Sequence, residues 1–266
     1  MAPVPAPVTA PVPVPAPVLA IEGLDKRFGG IVVADGIDLT LTAGRIVGLI
    51  GPNGAGKTSL FNLISGVFPP DAGTIRLDGQ RLDGLAMHRR AGLGLARTWQ
   101  NLRLFPSLSV LDNLMMGPRS YPGERLLRLA LDPGGVRRQE DETRRRARAV
   151  LERTRLAGVA GTRAADLTFG QQKLVGVARA LMNDARCLLL DEPMAGVEGQ
   201  AYEIMQAVVR EVAASGVAVC VVEHNVAFIR DLCDEGVFMF AGRVLARGPV
   251  GTLIADPRLT ELYFGT

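Results

Sequence analysis

The sequence predicts an α/β fold: a mostly parallel sheet with a helical lobe inserted. Three observations predict it. Short apolar runs recur at residues 45–50, 187–190 and 217–222, each with the length of a buried strand. The last two are each preceded by a helical stretch, which is the strand–helix–strand order of parallel sheets. Between residues 120 and 161 the pattern changes to long, charged helical periodicity.

The elements follow in order. Residues 1–18 are almost wholly Ala, Pro and Val, with seven prolines. Each proline removes a donor and clashes with the preceding turn, so this is a polyproline-II or disordered tail. It lacks the basic region that opens an export leader. A strand pattern starts at Leu19, and residues 37–41 alternate again. A helix is expected over residues 57–65, with Gly66 as its left-handed cap. Residues 74–79 read as a strand ending in a turn. Residues 124–131 and 137–156 read as two helices separated by Asp132-Pro-Gly-Gly135.

Composition narrows the function. Thirty basic against 27 acidic residues give a net charge of +3, too mild a balance to argue for a nucleic-acid binder. Residues 119–155 carry 11 arginines against six acids. That surplus reads first as a solvated helix face, and second as a surface meeting a membrane protein or anionic headgroups. Cys187, Cys220 and Cys233 form no CxxC motif and sit in or beside apolar stretches, so they read as buried thiols of a reducing compartment. No apolar run approaches the roughly 18 residues that span a bilayer. A soluble, cytosolic chain is expected.

The chemistry is concentrated at two places. Gly51-Pro52-Asn53-Gly54-Ala55-Gly56-Lys57-Thr58 fits G-x-x-x-x-G-K-[ST] between an expected strand and helix, the context that confirms a phosphate-binding loop. Its glycines let backbone N–H groups turn onto phosphates at a helix N-terminus. Lys57 reaches the terminal phosphates, Ser59 joins the nucleotide-binding residues, and the Thr58 hydroxyl suits Mg²⁺. The second place is the apolar run 187–190 ending in Asp191-Glu192. Successive strand residues point to opposite sides, so Asp191 suits the metal and Glu192 suits deprotonating an attacking water.

Through these motifs, residues 20–266 resemble the ATPase subunit of an ATP-binding-cassette transporter. The resemblance implies a RecA-like core, an antiparallel β subdomain and a helical subdomain at about residues 101–180. It implies that Phe28 stacks on adenine, and that Gln100 senses Mg²⁺ and the terminal phosphate while contacting a membrane subunit. Leu167-Thr168-Phe169-Gly170-Gln171 falls at the signature position, and His224 matches the switch histidine that contacts the γ-phosphate. It further implies ATP and Mg²⁺ as ligands, and a second cassette, identical or not, whose site is closed by Thr168 and Gly170. Two permease subunits and, indirectly, a solute-binding protein complete the set, with the chain peripheral on the inner face of the cell membrane.

Two departures narrow the match. Thr168 and Phe169 stand for the Ser and first Gly of the common Leu-Ser-Gly-Gly-Gln, and Ala195-Gly-Val-Glu198 replaces the usual Ser-Ala-Leu-Asp. Thr168 keeps a hydroxyl, Phe169 removes backbone freedom, and Glu198 keeps the acid. An aromatic before Gly-Gln-Gln, the Arg97-Thr-Trp-Gln-Asn-Leu-Arg-Leu-Phe105 run and the basic insert are similar to the larger ATPase subunit of branched-chain amino-acid importers. The resemblance implies ATP-driven import of such amino acids. A lipopolysaccharide-export ATPase is the rival within transport, and Phe169 speaks against it. Ribosomal and chromosomal cassette ATPases carry paired cassettes or long coiled coils, which this chain lacks. A non-hydrolysing nucleotide binder is disfavoured by Glu192 and His224.

Overall fold

The computed structural model describes residues 16–100, 102–117 and 132–264. Strands β1 (Pro17–Phe28), β2 (Ile31–Thr42), β4 (Ala72–Leu77) and β5 (Gln80–Arg81) form an antiparallel sheet in the order β2-β1-β4-β5. A second sheet holds β3 (Ile46–Ile50), β6 (Leu95–Arg97), β7 (Cys187–Asp191), β8 (Ala218–Val222), β9 (Glu235–Phe240) and β10 (Arg243–Gly248) in the order β10-β9-β3-β8-β7-β6. All its pairings are parallel except β9 with β10.

Every residue of β3, β7 and β8 is buried, as expected of parallel strands covered on both faces. Alternation sorts the two faces. Val47, Leu49, Leu189, Cys220 and Val222 pack with α1 (Lys57–Ser65) and the antiparallel sheet. Leu188, Leu190, Val219 and Val221 pack toward the helical side. That side comprises α3 (Val110–Met115), α4 (Pro133–Arg153), α5 (Phe169–Leu181), α6 (Gln200–Ala214) and α7 (Val226–Leu232). Helix α2 (Met87–Gly92) precedes β6, and α8 (Val250–Ala255) and α9 (Pro257–Phe264) close the chain. The helical lobe enters between β6 and β7, where the change of periodicity places it.

Two boundaries and one burial differ from the sequence reading. β1 opens at Pro17, two residues inside the expected tail, because the first position of a strand tolerates a missing donor. Val18 is then carried into the core at 3% exposure. Helix α4 starts at Pro133, inside the expected break. Asp132 caps it by accepting from the Gly135 N–H, and Pro133 occupies the first turn, where proline's lost N–H costs nothing. Cys187 and Cys220 are buried but Cys233 only partly; burial pushes the Cys187 and Cys233 thiols up to about 12. The helix expected at residues 124–131 and tail residues 1–15 lie outside the described residues.

One buried arginine anchors the helix that matters most. Arg90 is 2% exposed and donates to the Leu63 and Ile64 carbonyls at 2.7 and 2.9 Å. These are the orphan acceptors at the C-terminal end of α1, where a cation also favours the helix dipole. Gly66 completes the cap at φ 79°.

Candidate nucleotide site

The loop between β3 and α1 is shaped by glycine. Gly51 and Gly56 have φ of 154° and 101°, and a Cβ on them would lie 2.1 Å from Met239 O and 2.6 Å from Val33 O. The loop is thus wedged between β9 and β2, and side chains at these positions are excluded. Gly56 gives α1 no side-chain cap, so the first-turn N–H groups stay open to an anion. By contrast, α5 is closed by a capping box between Thr168 and Gln171.

Lys57 is 6% exposed and crosses the loop, donating to the Gly51 and Pro52 carbonyls at 2.6 and 2.9 Å. Burial lowers its pKa, opposed by the charges of Glu192 and Asp191. Thr58 is exposed, Ser59 half-buried, and Asn53 and Gly54 are exposed at the loop crest, with Ala55 packed beneath. The open N-terminus, the crossing ammonium and the free Thr58 hydroxyl together fit a nucleotide polyphosphate.

The carboxylates lie at the C-terminal end of β7, where parallel sheets bind ligands. Asp191 is the last strand residue, 4% exposed. Its Oδ2 accepts from Arg97 at 2.8 Å, and its N–H donates to the Thr98 hydroxyl. Glu192 has left the strand at φ 47°, so the separation of the two side chains comes from this left-handed turn rather than from strand alternation. Glu192 gathers its partners: Gln100 Nε2 donates to Oε2 at 2.8 Å, and His224 Nε2 lies 3.2 Å from Oε1. Gln100 thus meets the expected base directly.

Among the described residues no group of three or more His, Cys, Asp and Glu is arranged to hold a metal. A Mg²⁺ that arrives with a nucleotide needs few protein ligands, since phosphates and water supply the rest. The Thr58 hydroxyl and the second Asp191 oxygen fit that role.

The remaining expected residues are placed as follows. Phe28, 46% exposed at the end of β1, meets Phe68 edge-on with ring centroids 4.9 Å apart, which leaves ring surface for a base. The Thr168 hydroxyl accepts from Gln171 N–H as the cap of α5, and its hydrogen remains available to donate. Gly170 is buried, and a Cβ there would lie 2.6 Å from Ala201 Cβ; only its backbone N–H can serve a ligand. Phe169, 48% exposed, lies over Gly196, whose added Cβ would be 3.0 Å from its ring.

Sequence reasoning gave no role to four residues. Arg97 pairs with Asp191 and lies against Trp99, 4.2 Å from the ring centroid. Lys173, 4% exposed, donates to the Glu192 carbonyl at 2.9 Å. Glu223, 5% exposed, accepts from the Met194 and His224 N–H groups, and burial raises its pKa. Tyr263 of α9 donates to the His224 carbonyl at 3.2 Å. Lys173 carried the best signal, as one of three lysines in the chain.

An open-ended phosphate loop beside two acids at the end of a strand, a glutamine and a histidine defines a nucleotide-hydrolysing cassette. The chain belongs to the ABC transporter family, whose model matches residues 34–195, and it is a cassette ATPase serving membrane permeases. It is 34% identical to the high-affinity branched-chain amino acid transport ATP-binding protein BraF of Pseudomonas aeruginosa, over 93% of this chain and 98% of that protein. It is 32% identical to the corresponding protein LivG of Escherichia coli K12, with the same coverage. Among solved structures, the ADP conformation of an ATP-binding cassette of an ABC transporter superposes with a TM-score of 0.82 at 29% identity. That match covers 94% of this chain and all of the other. No helix among the described residues is long and apolar enough to cross a membrane.

Proposed function

We propose that this chain hydrolyses ATP to drive import of branched-chain or related amino acids through two separate permease subunits, with a solute-binding protein delivering the cargo. The observation that carries the catalytic part is the meeting of Gln100 and His224 on the Glu192 carboxylate. The cargo class rests on the importer subunits that are 32–34% identical along nearly their full length.

In this reading Phe28 stacks on the adenine, while the loop from Gly51 to Gly56, Lys57 and Ser59 embrace the phosphates. Thr58 and Asp191 would hold a Mg²⁺, which would supply positive charge against that of the terminal phosphates. Glu192 takes the proton of the attacking water, and Gln100 and His224 hold its carboxylate and the γ-phosphate in line. A second cassette, identical or homologous, closes the site, its Thr168 hydroxyl and Gly170 N–H donating to the γ-phosphate. The chain then sits on the inner face of the cell membrane, held by its permeases. The helical subdomain at about residues 101–180 faces them.

The test is reconstitution with the cognate permeases and binding protein in vesicles. ATP-dependent uptake of labelled leucine or a related amino acid is expected. ATP hydrolysis stimulated by the permeases without such uptake overturns the cargo, and absence of hydrolysis overturns the whole reading.

A further inference from the structure

Lys173 is a costly residue to keep. A buried ammonium demands compensation; burial lowers its pKa, opposed by the charges of Glu223, Glu192 and Asp191. Yet its hydrogen bond goes to the backbone carbonyl of Glu192, at 2.9 Å. That carbonyl belongs to the residue with φ 47°, a conformation disfavoured for a side chain this large. Glu192 therefore needs support from outside its own turn.

The turn is gripped at two points by buried charges of opposite sign. Lys173 holds the carbonyl of Glu192, and Glu223 holds the N–H of Met194, two residues on. Glu223 also accepts from the N–H of His224, so the grip that fixes the turn also fixes the histidine that meets Glu192. Asp191, on the other side, is tied to Arg97 and Thr98. The Glu192 N–H donates to the Val222 carbonyl at 2.9 Å, so the backbone is held on both sides of this residue.

We infer that Lys173 is a positioning residue for ATP hydrolysis: its ammonium pins the left-handed backbone of Glu192 and thereby aims the carboxylate at His224 and Gln100. The inference rests on the proposed role of Glu192 as base. Lys173 lies one turn into α5, with its ammonium 5.5 Å from the centroid of the Phe169 ring at the start of that helix. Any displacement of the start of α5 therefore moves the support of Glu192 in the same chain. A second cassette closing on Thr168 would be felt at the base through this one side chain.

The experiment is a double-mutant cycle on the assembled transporter, with kcat for ATP and the dissociation constant of MgATP measured separately. Misplacing a catalytic group by about 1 Å costs up to roughly 10²-fold in rate. Lys173→Met is expected to lower kcat by about 10- to 100-fold with MgATP affinity unchanged, and Lys173→Arg to restore kcat to within about threefold of wild type. In the Glu192→Gln background, Lys173→Met should change the residual rate by less than about twofold, because a residue acting through the base has nothing left to aim. Equal losses in both backgrounds, or a fall in affinity matching the fall in kcat, would make Lys173 a structural counter-charge and overturn the inference. Unchanged kcat in Lys173→Met beside an inactive Glu192→Gln overturns it alone. Wild-type turnover by Glu192→Gln overturns the base and the inference together. Should Lys173→Met fail to fold, Lys173→Leu, which likewise has no N–H donor for the Glu192 carbonyl, is judged by the same cycle.

Discussion

Replacing Glu192 by glutamine separates binding from chemistry. The side chain is 18% exposed and engaged at both oxygens, by Gln100 at 2.8 Å and His224 at 3.2 Å. An amide can accept from Gln100 through its oxygen and, with the His224 tautomer that carries its hydrogen on Nδ1, donate to Nε2 through its nitrogen, so the geometry survives. What is lost is the negative charge and the basicity. Removing a positioned base costs about 10² to 10⁴ in rate, or roughly 3 to 5 kcal/mol of barrier. Binding should not weaken, because the lost charge neighbours the phosphates and the Lys57 ammonium keeps its loop contacts. The dissociation constant of MgATP should stay within about threefold, under roughly 0.7 kcal/mol. Single-turnover hydrolysis and calorimetry supply the two numbers, and the variant should accumulate as an ATP-loaded pair on gel filtration. Near wild-type turnover would refute the reasoning, as would a loss of affinity as large as that from removing Lys57.

Lys57→Ala should weaken MgATP binding by about 10²-fold, roughly 2.7 kcal/mol, with an unchanged circular-dichroism spectrum; equal affinity by calorimetry would discard the phosphate site. Arg97→Met leaves Asp191 buried and unpaired, which should cost about 3 to 5 kcal/mol and lower the melting temperature by roughly 10 °C; a shift under about 2 °C would show that the pair contributes little. Gly196→Ala meets both φ 72° and the Phe169 ring, so it should destabilise by about 1 to 2 kcal/mol, and by less when Phe169→Gly is also present. Equal cost in both backgrounds in urea unfolding would mean the two positions are independent. Gln100→Ala removes a contact to the base rather than to the phosphate loop, so it should reduce transport in vesicles more than MgATP affinity; parallel losses would move Gln100 into the binding site proper.

The legible part of the site was the part made of adjacent residues. Gly51 to Thr58 and Asp191-Glu192 carry their chemistry within one turn of chain, and the flanking strands and helix are set by local apolar patterning. The illegible part was made of pairs far apart in sequence. Arg97 meets Asp191 across 94 positions and Tyr263 meets His224 across 39, and no periodicity encodes such partners. Strand alternation was also the wrong reason for separating Asp191 from Glu192. It holds only while the chain remains a strand, and β7 ends at Asp191.

The sequence by itself determined the order of elements, the glycine-shaped loop and the acids at a strand end, because these depend on local conformational preference and apolar period. It could not determine which oxygen of Asp191 is left for a cation, that Gly170 is sealed against Ala201, or that a single buried lysine supports the turn at Glu192. Those outcomes follow from burial. Once β3, β7 and β8 are covered on both faces, every charge near their ends must find a partner, and only the packing of α5, β6 and β8 against β7 selects which one.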